Sequence, residues 1–246
     1  EYAISKFLLT AADYADPFTF PCIIPPLAVL DTPYDYSIVC MPRSSEVTWL
    51  DDVDTPREFL RIATCLLRGL EFLHSRRIAH RDIGECNMLA NYYRLDNDPV
   101  ALRADLRERR GLGDAENTLA FMDFDKSILL PPDTPLTTCR RPSPEATGAN
   151  YFTPDDTDYG APFYNPFAYD VATLGNLFRN YFSAMVSAVP SLAPLFDRMT
   201  THVVRERFTA EESLHFLQDT TAKLSEAALD TKFVLVPDRI WSGESY

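Results

Sequence analysis

The stretch HRDIGECN, from His80 to Asn87, decides how the rest of this chain is read, together with MDFDKS, from Met122 to Ser127, further along. The first sets a carboxylate, Asp82, and an amide, Asn87, one short loop apart; the second puts Asp123 and Asp125 on either side of Phe124. Taken alone, Asp123 and Asp125 read as strand-end or turn carboxylates, and His80 as a packing residue of the loop rather than a base. What precedes them is a strong helix. T-P-R-E at Thr55 to Glu58 is a capping box with Pro56 in the first turn, and apolar residues follow at Phe59, Ile62, Ala63, Leu66, Leu67, Leu70 and Leu73. The helix should end near Ser75, with Arg76 and Arg77 at the negative end of its dipole.

Working outward, residues 1–10 read as helix, and residues 20–43 as two short strands around the turn DTPYD. Residues 91–118 form a surface insert whose DPVALRADLRERR portion makes a short charged helix. Residues 131–167 are rich in Pro, Thr and Asp and predict an extended loop, a kind of segment that is usually functional. DVATLGNLFRNYFSAMV, from Asp170, is apolar on most faces and predicts a buried helix, with Asp170 by position alone an N-cap. T-A-E-E at Thr209 to Glu212 is a second capping box, opening a helix through Leu214 and Leu217 to about Leu224. The tail FVLVPDRIW reads as an extended piece without an assigned place.

The chain has 246 residues, of which 46% are hydrophobic, enough for a substantial core. No apolar run approaches the ~20 residues needed to span a bilayer, so no membrane span is expected. EYAISKFLLT does not read as a signal peptide, and the missing initiator Met predicts a fragment or a processed product with parts of the functional unit upstream. A net charge of −13 opposes nucleic acid as a partner. Five cysteines without a CxxC pair and four scattered histidines suggest neither a disulfide framework nor a zinc site, which fits a reducing, intracellular (cytoplasmic) setting.

H-R-D-x-x-x-x-N resembles the catalytic loop of eukaryotic protein kinases, and MDFD falls where that family has DFG. LEFLHSRRIAHRD is similar to the helix leading into the kinase loop, YDVATLGNLF to the core helix that begins with an Asp, and RFTAEESL, from Arg207, to a late R-P-T-A-E-E-A-L phrase. The resemblance covers roughly residues 1–220, with its closest echo in kinase-like proteins of fungi. It implies an α+β, protein kinase-like fold, mainly the helical C-lobe with a truncated N-lobe. Residues 1–43 would be partial N-lobe and hinge, and 44–246 the C-lobe, with catalytic loop 80–87, insert 91–118 and activation segment 123–163. It further implies that Asp82 accepts the proton of the attacking hydroxyl, that Asn87 and Asp123 hold Mg2+, and that Asp170 braces the HRD backbone. Arg81 would meet phosphate on the activation segment, at Thr137, Thr138, Ser143, Thr147 or Thr153, unless it is a solvated charge. YSIVCMPR would be the last small-lobe strand and hinge, with Cys40 as gatekeeper, Met41 and Arg43 along the adenine edge and Leu89 as the adenine floor. Glu1 falls near the family's lysine-pairing glutamate.

The departures matter equally. No G-x-G-x-x-G and no V-A-I-K occurs in the chain; Gly84 replaces the usual lysine of the loop, removing a positive charge unless another cation substitutes. Asp125 replaces the glycine of DFG, restricting a backbone that glycine leaves free. A-P-E is missing, since Ala161-Pro-Phe163 lacks the acid, and Asp155 is the expected partner of Arg207 instead. The expected function is an ATP- and Mg2+-dependent Ser/Thr protein kinase acting on a protein substrate. The alternatives are a pseudokinase that binds a regulatory protein and, third, a small-molecule kinase like the aminoglycoside or choline phosphotransferases, which usually carry HGD and lack the TAEESL phrase.

Overall fold

The structure is a computed structural model and describes residues 1–11, 14, 19–47, 50–95, 98–109, 118–146, 151–158 and 160–233. In chain order the elements are α1 (Tyr2–Ala11), β1 (Ala28–Asp31), β2 (Ser37–Cys40), β3 (Ser45–Glu46), α2 (Pro56–Ser75), β4 (Ile78–Ala79), β5 (Met88–Ala90), α3 (Pro99–Arg109), β6 (Leu119–Phe121), β7 (Ile128–Leu129), β8 (Arg141–Pro142), β9 (Phe163–Tyr164), α4 (Pro166–Phe182), α5 (Ala193–Thr200), α6 (Ala210–Thr221) and α7 (Glu226–Leu229). Helix outweighs strand, and the strands form small antiparallel sheets: β1 with β2, β3-β5-β6, β4 with β7, and β8 with β9. Among the described residues no helix is long and apolar enough to cross a membrane.

Helix α2 is the axis of the core. Its apolar stripe is buried from Phe59 to Leu73 and packs against α4, α6 and β6. Phe59 touches Phe178, Phe182 and Phe196 at ring-centroid separations of 5.5, 4.8 and 5.8 Å, so one aromatic side chain joins α2 to α4 and α5. Full burial of each such side chain stabilises by roughly 1.5–3 kcal/mol. The N-terminus is capped as expected by Thr55, whose hydroxyl accepts from Glu58 N (3.4 Å), but the box is shifted: the Glu58 carboxylate accepts from Asp54 N (3.2 Å) rather than from the cap residue. At the other end Arg76 and Arg77 donate to the terminal carbonyls of Phe72, His74 and Ser75.

Helix α4 begins at Pro166, four residues before the position read from the sequence, because Asn165 accepts from Phe167 N (3.0 Å) and Ala168 N (3.3 Å) and is itself the cap. Asp170 therefore lies inside the first turns, its carboxylate free for another segment. The Thr209–Glu212 box is complete in both directions, and α6 ends at Thr221, earlier than expected. Among the described residues of 131–167, regular structure is limited to the short β8–β9 pair, two 3-10 turns and the first residues of α4, and α3 is the short charged helix expected of the insert. Thr147 and the tail beyond Phe233 lie outside the described residues.

The segment before β1 is bonded to β6: Ile24 N donates to Phe121 O (2.9 Å) and Phe121 N to Cys22 O (3.0 Å). Both lie against α2 at Gly69, where a Cβ would sit 2.8 Å from Cys22 O and 2.9 Å from the Phe121 ring. Neither a hydrogen-bonded carbonyl nor a fully buried ring can yield. Gly69→Ala should thus lower stability by about 1–2 kcal/mol despite a helix-propensity gain of about 1 kcal/mol. A urea melt checks this, and an unchanged midpoint would refute the close approach.

Candidate functional site

The loop 80–87 follows β4 and is held from beneath by Asp170. The Asp170 carboxylate, fully buried, accepts from His80 N (2.7 Å), Arg81 N (2.7 Å) and His74 Nε2 (3.0 Å). These bonds fix Arg81 in the left-handed region at φ 67°, a conformation costly for a residue with a Cβ. The expected brace is therefore present; the contribution of His74 had no signal in the sequence.

His80 is buried, with both ring nitrogens used. Nε2 donates to Met122 O (3.0 Å), while Nδ1 accepts from Asp82 N (3.3 Å), which assigns the neutral Nε2–H tautomer. Burial holds the ring below the usual histidine range, against the smaller opposing pull of Asp170. His80 is a structural residue, as its sequence position suggested.

Asp82 and Asn87 meet directly. The Asn87 amide donates to Asp82 O (2.8 Å) and Asp82 Oδ2 (3.1 Å), leaving its Oδ1 as the remaining polar atom of that side chain. Asn87 O accepts from Met122 N (3.0 Å), bringing the loop within one residue of Asp123. Asp123 has φ 60°, and its Oδ1 accepts from Asp125 N (3.2 Å), closing a tight local turn. The left-handed residue here is Asp123, not Asp125, so the backbone as it stands does not require a glycine at position 125. The Asp125 carboxylate pairs with Lys126 Nζ (3.0 Å), which holds it below the ordinary aspartate value. Among the described residues no group of three or more His, Cys, Asp or Glu side chains is set to hold a metal ion.

Arg81 is 9% exposed, so it is not a solvated charge. Its guanidinium donates to Lys126 O (2.6 Å), Glu145 O (2.5 Å) and the Tyr164 hydroxyl (3.4 Å). It is a positioning residue: it ties both ends of the 123–146 stretch to the loop through backbone carbonyls, with those two N–H vectors spent. Ser127 Oγ adds a bond to His80 O (2.9 Å). The expected Arg207–Asp155 pair is corrected by one residue. Arg207 pairs bidentately with Asp156 (2.7 and 2.9 Å) and also donates to Thr201 O and Ala168 O. Asp155 instead opens a short 3-10 turn at the surface, where its carbonyl accepts from Asp158 N.

The hinge-side residues are less concentrated. Leu89 lines a cavity of about 400 Å³ with Pro42, Ser44, Ile24 and Ala120. Cys40, Met41 and Arg43 do not border it: Cys40 is half-buried in β2, Met41 is exposed, and the Arg43 guanidinium lies 3.8 Å over the Tyr93 ring. No family model matches the chain, and no curated protein matches its sequence.

Two outcomes test this geometry. Asp156→Ala should cost about 3–5 kcal/mol, because it strands a buried guanidinium, whereas Asp155→Ala should stay within about 0.5 kcal/mol. Equal losses in chemical denaturation would reject the assignment. For His80, the folded pKa lies below the unfolded value of 6.5, so the unfolded state binds the extra proton. Its contribution to stability is present near neutral pH and falls as pH drops below about 6.5. His80→Gln should flatten that part of a stability–pH profile; an unaltered slope contradicts the neutral, buried ring.

Proposed function

We propose that this site transfers the γ-phosphoryl group of Mg-ATP to a Ser or Thr hydroxyl of a protein substrate, within a protein kinase-like fold whose large lobe spans residues 44–246 and whose hinge ends near Arg43. The observation that carries the reading is the Asp82–Asn87 contact, set one residue from Asp123 by the Asn87–Met122 backbone bond. The Asp170 brace, the two tethers of Arg81 and the Arg207–Asp156 pair support it.

In this reading the Asp82 carboxylate accepts the proton of the attacking hydroxyl, whose oxygen bonds to the γ-phosphorus as the bond to the bridging oxygen of ADP breaks. Asn87 Oδ1 and an Asp123 oxygen are the residues that would hold magnesium. They are hard oxygen donors, and two protein ligands suit an ion that keeps water and phosphate oxygens in its shell. When bound, the ion supplies charge neutralisation on the phosphates. The cavity beside Leu89 has the volume for an adenine ring, with apolar walls at Ile24, Pro42 and Ala120 and polar groups at Ser44, Asn91 and Thr118.

A second reading, a nucleotide-keeping module that binds a regulatory protein and transfers poorly, is favoured by one feature. The Asp125 N–H already occupies one oxygen of Asp123. Asp82→Asn separates the two. Under the first reading it lowers transfer by about 10²–10⁴ while Mg-ATP still raises the melting temperature; Asp123→Asn abolishes the magnesium-dependent part of that rise. Transfer that survives Asp82→Asn unchanged rejects the role of this carboxylate, and nucleotide binding without transfer in the wild type selects the second reading.

A further inference from the structure

Asp82, Asp123 and Asp125 all lie on the two segments that the Asn87–Met122 backbone bond joins, and position 84 has no side chain to offset their charge. A polyphosphate approaching these segments meets repulsion unless a cation stands with it. Arg81 is not that cation, since its guanidinium is turned to the carbonyls of Lys126 and Glu145. We propose that the ammonium of Lys126, steered by the Asp125 carboxylate, contacts the terminal phosphate of the nucleotide in place of a side chain at Gly84. The proposal rests on the phosphotransfer reading and names a residue within that same site.

The backbone at Lys126 is fixed on several sides. Its carbonyl accepts from Arg81 Nε (2.6 Å), the turn is closed by Ser127 N to Phe124 O (3.1 Å), and Ser127 Oγ is bonded to His80 O (2.9 Å). The root of the side chain is thus tied to the same loop as Asp82, while its four-carbon arm remains adjustable. The ammonium lies 3.0 Å from Asp125 Oδ2, and the two side chains are 44% and 45% exposed. A pair this open to water is weak and exchanges readily for a multiply charged phosphate, which binds an ammonium through stronger charge-assisted bonds. Lys126 is held above the ordinary lysine value first by its bond to Asp125, with smaller contributions in the same direction from Asp82 and Asp123. The backbone N–H of Asp125 bonds one oxygen of Asp123, and its carboxylate has in this arrangement a separate role: it orients the cation.

The test is calorimetric binding of Mg-ATP and Mg-ADP to the full chain as wild type, Lys126→Met and Lys126→Arg, with thermal melts confirming that each variant is folded. Lys126→Met should weaken ATP about tenfold and leave ADP within about twofold, while Lys126→Arg keeps most of the ATP affinity. Equal ATP affinity in Lys126→Met and wild type overturns the role of Lys126 and leaves the phosphotransfer reading standing. An equal loss for both nucleotides also overturns it, because the contact is then not with the terminal phosphate. A wild type that binds neither nucleotide overturns the reading on which the proposal rests.

Discussion

The Asp170 carboxylate is fully buried within α4 and accepts hydrogen bonds from His80 N, Arg81 N and His74 Nε2. A carboxylate at that depth is tolerated only if its oxygens are satisfied, and backbone N–H groups satisfy it at fixed positions. The left-handed turn at Arg81 costs roughly 1–3 kcal/mol. Hydrogen bonds to a charged group are worth about 1.5–3 kcal/mol each, so the two from this loop exceed that cost. The loop's path, and with it the location of Asp82, is therefore set by a residue far along the chain.

Strain follows the same line. The non-glycine residues with positive φ among those described are Cys22, Arg77, Arg81 and Asp123. Cys22 sits where the chain approaches Gly69 of α2, Arg77 ends that helix, and Arg81 and Asp123 flank the Asp82–Asn87 contact. Each has a local restraint: the Cys22 carbonyl bonds to Phe121 N, Arg77 Nε donates to Thr134 O (2.7 Å), Asp170 holds Arg81, and the Asp123 carboxylate binds Asp125 N. The adopted conformations thus belong to the packing around them rather than to the residue types.

Local elements were legible because their signals are local. The apolar spacing of α2 and its Thr55 cap, the strands around DTPYD, the charged helix of the insert and the Thr209 capping box all depend on residues a few positions apart. The start of α4 was missed because Asp170 and Asn165 are both competent caps; Asn165 Oδ1 takes the helix N–H groups, while the Asp170 carboxylate is taken by the backbone of residues 80 and 81. The Arg207 partner was missed by one position for a related reason: Asp155 and Asp156 are equivalent in sequence, and the short 3-10 turn decides which of them points inward.

The sequence by itself determined the helical core and the set of oxygen and nitrogen groups, Asp82, Asn87, Asp123 and Asp170, from which the candidate site is built. Periodicity and short motifs are written within a few residues, and burial of apolar stripes follows from them. The tertiary structure decided how those groups are used: that Arg81 is spent on carbonyls, that His80 is neutral, and that Asp123 rather than Asp125 takes the strained turn. Each of these depends on which donor and acceptor atoms meet once distant segments pack together. Bond geometry of that kind is fixed by three-dimensional proximity, which residue order alone does not specify.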